Sequence, residues 1–163
     1  MSTFEPLSPP QTSTASLYDH DFYTWVQKQS DALQNHRWQD LDLPNLVEEL
    51  ESLGKQQRRE LSNRLSVLLA HLLNWEYQSQ HHSRSGLATI RIQRLDIADL
   101  LEESPSLKTH LEEAMIKAYP KAVQLAIKET ELPERTFPVD CPYGLTTVLN
   151  SDFYPGIPSD LVE

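Results

Sequence analysis

An all-α helical bundle follows from three observations on the sequence. Residues 42–80 keep one apolar stripe in helical phase: at about 100° per residue, Leu46, Leu50, Gln57, Leu61, Leu65, Leu68, Leu72 and Trp75 share an arc of about 100°. With only four glycines and long stretches rich in Leu, Glu, Gln, Lys and Ala, the composition favours helix over sheet. Ser, Pro and Gly then punctuate the chain into about four helical segments. A helix as long as the one over 43–80 must pack against others along its length.

Residues 1–16 hold three prolines and a Ser/Thr cluster with little to bury, and are expected to be a disordered N-terminal arm. A single helical domain is expected over 17–156, followed by a short tail, 157–163. The first helix should start at Asp19 or Asp21, either of which can cap it, and run to about His36 with Phe22, Trp25, Val26, Gln29 and Leu33 on one face. Trp38 and Leu41 lie in a linker. Asp42 is a suitable N-cap for the long helix, and Pro44 is tolerated in its first turn, where an N–H has no intrahelical partner.

QSQHHSRSG, residues 78–86, reads as a loop. The third helix, about 87–103, places Leu87, Ile90, Ile97, Ala98 and Leu101 on one face. Ser104 should cap a fourth helix with Pro105 at its first position, running to about Glu131. Its apolar phase survives Pro120, which predicts a kink at Tyr119–Pro120 and no break. Aromatics alternating with prolines in the last segment, from Pro133 to Pro158, predict an ordered wrap over the bundle with a short helix near 143–150.

Several polar residues fall on or beside the apolar arcs: Arg91 and Arg94 in the third helix, His71, Arg64 and Glu49 in the second, and Glu129 in the fourth. Inward charges must pair, because an isolated buried charge costs several kcal/mol. An ion-pair network is therefore predicted among Arg91, Arg94, Glu49, His71 and Glu129, with Arg64 and Glu60 as a local i, i+4 pair. On that reading Arg94→Ala or Glu129→Ala costs about 3 kcal/mol. Read structurally, the set fixes helix register. Read chemically, Glu49, His71, Arg91, Arg94 and Glu129 are candidate catalytic residues, with Arg binding an anion and His71 moving protons.

No Glu-x-x-His or i, i+4 His pair occurs at Glu49 or His71, so no metal or cofactor site is expected. His81 and His82 read as loop residues. Cys141, the single cysteine, cannot form an internal disulfide and reads as structural. A Gly-rich phosphate loop and a Ser nucleophile elbow are both missing. The absence of a signal-peptide pattern and of any long apolar run implies a cytosolic protein with no membrane contact.

A formal charge of −10 argues against direct nucleic-acid binding. The average conceals an asymmetry. Residues 55–94 hold seven Lys or Arg against Glu60 and Glu76, so this stretch carries +5 and the remainder −15. Charge pairing between helices explains it, or a basic strip for an anionic partner.

YDHDFYTW (18–25), NLVEELESLG (45–54), LLAHLLNW (68–75), IRIQR (90–94), SPSL (104–107), FPVDCPYG (137–144) and DFYP (152–155) together resemble the bacterial family catalogued as domain of unknown function number 29. The resemblance spans roughly Leu17 to Gly156. It implies an α-helical protein of a family common in photosynthetic bacteria, with no assigned activity to carry over. Gly86-Leu87 stands where Ser-Trp is common, and Glu131 where a glycine usually ends the fourth helix, implying a less tightly capped end.

The function expected from these readings is a small helical protein–protein interaction module, its partner another protein or a second copy. Ile92, Leu95 and Leu100, outside the main arc of the third helix, are the surplus surface a partner would cover. A metal- or anion-dependent enzyme built on the inward polar set is the alternative, and an acidic regulator of a nucleic-acid-binding partner a third reading.

Overall fold

The computed structural model describes residues 14–162, which fall into two compact units dividing between Gly54 and Lys55. All regular structure among them is helical. The expected disordered arm falls chiefly on residues 1–13, outside the described residues; Thr14–Ser16, placed in that arm by the sequence, open a helix.

In the N-terminal unit, α1 (Thr14–His20) and α2 (Phe22–Gln34) replace the single first helix that was predicted. They divide at Asp21, whose carboxylate accepts the Thr24 N–H at 3.1 Å and caps α2. Trp25, Gln29 and Ala32 are buried, while Phe22, Val26 and Leu33 stay exposed. The buried face is thus rotated from the predicted one, because Trp25 and Gln29 both bond Asp42. The predicted linker carries a 3₁₀ turn, Trp38–Asp40. Here α3 (Leu43–Tyr77) begins, one residue after Asp42, whose carbonyl accepts the Leu46 N–H at 2.9 Å.

The C-terminal unit is built on the remainder of α3, with α4 (Arg84–Glu103) and α5 (Leu111–Thr130). Leu61, Leu65, Leu68, Leu69, Leu72 and Leu73 are fully buried, and Ile90, Ile97, Ala118, Ala122 and Ala126 meet them in one core. Burying side chains of this size stabilises by about 1.5–3 kcal/mol each. The apolar stripe of α3 is therefore a core stripe from Leu61 onward, whereas Leu50 is 67% exposed.

Boundaries shift where local hydrogen bonding decides them. After Tyr77 a 3₁₀ turn, Ser79–His81, replaces the last predicted turn of the long helix. Ser83 caps α4 by accepting the Gly86 N–H at 3.0 Å, so the helix starts three residues before the predicted Leu87 and includes Gly86. Beyond Ser104, a 3₁₀ segment with Pro105 at its first position (Pro105–His110) precedes α5. Pro120 lies inside α5 without ending it.

Glu131 ends α5 in the left-handed conformation, φ +58°, and donates its N–H to Ile127 O at 2.9 Å. Thr130 Oγ1 accepts the Leu132 N–H at 3.2 Å, so the cap is satisfied but holds a side chain where glycine is favoured. Glu131→Gly is expected to raise stability by about 1 kcal/mol. Urea denaturation would show it as a higher midpoint with unchanged slope; an unchanged midpoint would mean that the cap stores no strain.

The Pro/aromatic segment wraps the C-terminal unit, with a 3₁₀ turn at Glu134–Thr136 and the predicted short helix observed as α6, Leu145–Leu149. Tyr119 donates its hydroxyl to Pro138 O at 2.7 Å, Phe137 packs edge-on against Tyr77, and Tyr154 leans on Trp75. Gly156, at φ +81°, passes so close to α3 that a Cβ there would lie 3.2 Å from Glu76 Cα, which is why this position needs glycine.

Candidate functional site

Two regions gather side chains that folding alone does not require. One is a cavity of about 210 Å³ in the C-terminal unit, lined by the last turns of α3, the 79–83 connection, the start of α4 and Glu129 of α5. His71 Nδ1 lies 3.7 Å from Glu129 Oε2, and that carboxylate also accepts from Asn74 Nδ2. The Asn74 side-chain amide oxygen, Oδ1, is buried without a hydrogen-bond partner among the described residues. His82 stacks on Trp75 at 3.9 Å between ring centroids, its Nε2 2.7 Å from the Trp75 carbonyl. Predicted as a loop residue, His82 is thus pinned to α3. His81 and Gln78 complete the polar lining. A histidine beside a carboxylate can hold a ligand's polar hydrogen or relay a proton. No group of three His, Cys, Asp or Glu among the described residues is arranged to hold a metal ion.

The other region is the exposed apolar surface. Among the residues from 22 to 53, Phe22, Tyr23, Val26, Leu33, Trp38, Leu43, Val47, Leu50 and Leu53 are exposed. In α4, Ile92 and Leu95 are exposed as expected for surplus surface, whereas Leu100 is partly buried against the core.

The five candidate residues do not form the predicted ion-pair network. His71 and Glu129 come together, but Glu129 sits at the surface. Arg94 is buried and takes carbonyls in place of a carboxylate: Nε donates to Val148 O at 2.9 Å, a terminal nitrogen to Phe153 O at 2.7 Å and the other to Ser151 O at 3.4 Å. Its guanidinium lies 5.3 Å from the Tyr154 ring centre, and burial pulls its pKa below the usual arginine range. Arg91 is exposed, with Nε 3.3 Å from the Tyr154 hydroxyl. Glu49, in the N-terminal unit, accepts the Tyr18 hydroxyl at 2.7 Å, which pushes the Tyr18 pKa up to about 12. The predicted Arg64–Glu60 pair is present at 2.7 Å, and Arg64 also reaches Asp96.

The partners that sequence reasoning missed are backbone carbonyls and phenols. Helical phase marks Arg94 as inward but carries no sign of the carbonyls that approach it from a distant segment. Tyr143, whose hydroxyl bonds Glu76 and whose pKa burial pushes up, leaves no periodic signal either. Burial likewise raises the Cys141 pKa, keeping the thiol protonated and agreeing with its structural reading.

Residues 17–154 match the family described as domain of unknown function DUF29. The chain belongs to this family. No curated protein and no solved structure matches the chain. The family match runs over nearly all the described residues, in keeping with motifs spread from Tyr18 to Tyr154, and carries no activity with it. No described helix is long and apolar enough to cross a membrane.

Proposed function

We propose that this DUF29 chain is a helical protein–protein interaction module whose contact element lies in its N-terminal unit. The observation that carries this reading is the exposed stripe of α3: Leu43, Val47, Leu50 and Leu53 stand 59%, 53%, 67% and 57% exposed at helical spacing on one side. Single exposed apolar residues are ordinary, but a continuous stripe is what a partner covers. The test is recovery of the tagged full chain from its host at native stoichiometry, with its mass measured in solution. A near-stoichiometric partner, or a defined oligomer, is expected, and Val47→Glu/Leu50→Glu should abolish it while leaving the helical content intact. A wild-type chain recovered alone as a monomer would overturn the reading, as would a complex indifferent to that double substitution.

The enzymic alternative is favoured by the His71–Glu129 contact within the 210 Å³ cavity. It requires a ligand there. Calorimetric titration with phosphate or zinc would have to show binding that His71→Ala removes, and a silent titration would end it for those ligands.

A further inference from the structure

Part of α3 is a helix without a packed face. Residues 53–60, LGKQQRRE, are exposed without exception, and eight consecutive helical residues make about two full turns, so every side of the helix meets solvent there. On either side of this span the helix is held. Glu49 takes the Tyr18 hydroxyl and Ser52 is half-buried in the N-terminal unit, while Leu61 is fully buried in the core of the C-terminal unit.

Helices in folded proteins draw most of their stability from packing along one face, and a helical stretch shorter than about 12 residues is marginal in water by itself. The 53–60 span must therefore stand on local terms. Lys, Gln and Arg are good helix formers, and Glu60 pairs with Arg64 at 2.7 Å. Gly54 works against them, because a glycine inside a helix loses more conformational freedom than an alanine. Nothing in the packing calls for it: its φ is not positive, and a Cβ added there would meet no atom within 4 Å beyond the helix's own backbone. This weak point stands where the chain divides into its two compact units, between Gly54 and Lys55.

The next ties along the helix run to the C-terminal unit. Ser104 Oγ donates to Gln57 Oε1 at 3.2 Å, and Arg58 lines a small groove with Ser62 and with Glu113 and Lys117 of α5. Glu51 and Lys55 are engaged as well, but contacts between exposed side chains add little. The turn from Leu53 to Gln56 is the least supported in α3.

We infer that α3 is jointed at this turn: the backbone hydrogen bonds around Gly54 open, and the N-terminal unit moves as a body while each unit keeps its own fold. Moving elements are drawn from the segments of lowest local stability, and a hinge needs only a few residues to absorb the change in φ and ψ. The stripe from Leu43 to Leu53 ends one residue before the joint. It can settle on a partner without disturbing the leucine core that starts at Leu61. The joint goes beyond the interaction-module reading and stands even if that stripe binds nothing.

Distances between paired spin labels, measured by pulsed electron resonance in the full chain, test this, with Cys141→Ser removing the native thiol. Labels at Lys28→Cys and Lys128→Cys report across the joint; Lys28→Cys with Glu48→Cys, and Lys108→Cys with Lys128→Cys, report within each unit, all four positions being exposed. The cross-joint distribution should be wider than either internal one, and Gly54→Ala should narrow it. Hydrogen exchange gives a second reading without labels. The amides of residues 55–58, which bond the carbonyls of 51–54, should exchange at least about 100-fold faster than those of Leu69 and Leu73, and Gly54→Ala should slow them about fivefold, the factor that the helix propensities of Gly and Ala imply. A cross-joint distribution as narrow as the internal ones, or one that Gly54→Ala leaves unchanged, overturns the inference, as does exchange at 55–58 as slow as in the core. Circular dichroism confirms that the labelled variants are folded; should Cys141→Ser disturb the fold, the exchange measurement decides alone. A joint found in a chain that captures no partner upholds this inference while the interaction-module reading fails.

Discussion

Arg94→Ala is expected to lower the stability of the C-terminal unit by about 3 kcal/mol. The guanidinium donates to the carbonyls of Val148, Ser151 and Phe153, three groups within six residues of the wrapping segment. Removing it leaves the Val148 carbonyl without that donor beside a fully buried side chain, and it strips the arginine stem from Tyr154. Part of the loss is offset, because the cation itself is held against its preference for water, as its lowered pKa indicates. Arg94→Lys should recover only part of the stability: an ammonium cannot spread donors over three carbonyls as the planar fork does. Glu129→Ala, predicted from sequence to be as costly, should lose less than about 1 kcal/mol, since its side chain is 43% exposed and the His71 contact is partly open to solvent. Urea denaturation of the three variants checks the order, and limited proteolysis within 143–156 reports whether the segment has come loose. An Arg94→Ala loss below about 1 kcal/mol would mean that the aromatic contacts alone hold the wrap.

That contrast shows how far the sequence could be read. Period 3.6 located α3, the face of α4 that carries Ile90 and Ile97, and the core side of α5, because these are set by each segment's own pattern. The same period placed Arg94 inward correctly and Glu129 incorrectly. Both lie within the apolar arc, and an angular position does not say how far a neighbouring element extends over it. Long side chains at the edge of an arc reach solvent, as Glu129 and Arg91 do. Boundaries decided by one side-chain hydrogen bond, such as Ser83 with Gly86 or Asp21 with Thr24, were legible only where the capping residue stood next to a clear apolar period. For the candidate site, phase singled out His71 and Glu129, which do meet. It placed Trp75 on the arc but was silent on Asn74, and on His82, which reaches the cavity after a turn whose 3₁₀ geometry has no periodic signature. The wide apolar arcs proved informative in another way: at Leu50 and Leu95 the pattern continued where the chain's own packing stopped.

Asp42→Ala is the second substitution with a large expected effect, about 2–3 kcal/mol in the N-terminal unit. Asp42 is buried and works through three groups at once. Its carboxylate accepts the Trp25 indole N–H at 3.0 Å and the Asn45 amide at 2.7 Å, while its own N–H donates to Gln29 Oε1 at 2.7 Å. Trp25 and Gln29 are themselves almost wholly buried on α2, so this residue fastens α2 to the start of α3. Alanine would leave the indole N–H unpaired in a buried position and remove a negative charge from the N-terminus of a long helix, both unfavourable. Asp42→Asn keeps an acceptor for the indole and should cost under about 1 kcal/mol. Hydrogen exchange of the α2 amides and Trp25 fluorescence would follow the change directly. The apolar stripe that carries the proposed function begins at the next residue, Leu43, so Asp42→Ala should also loosen any complex made through Val47 and Leu50. If α2 exchange is unchanged while association is lost, Asp42 acts at the contact itself; if both are unchanged, the indole bond does not hold α2 in place.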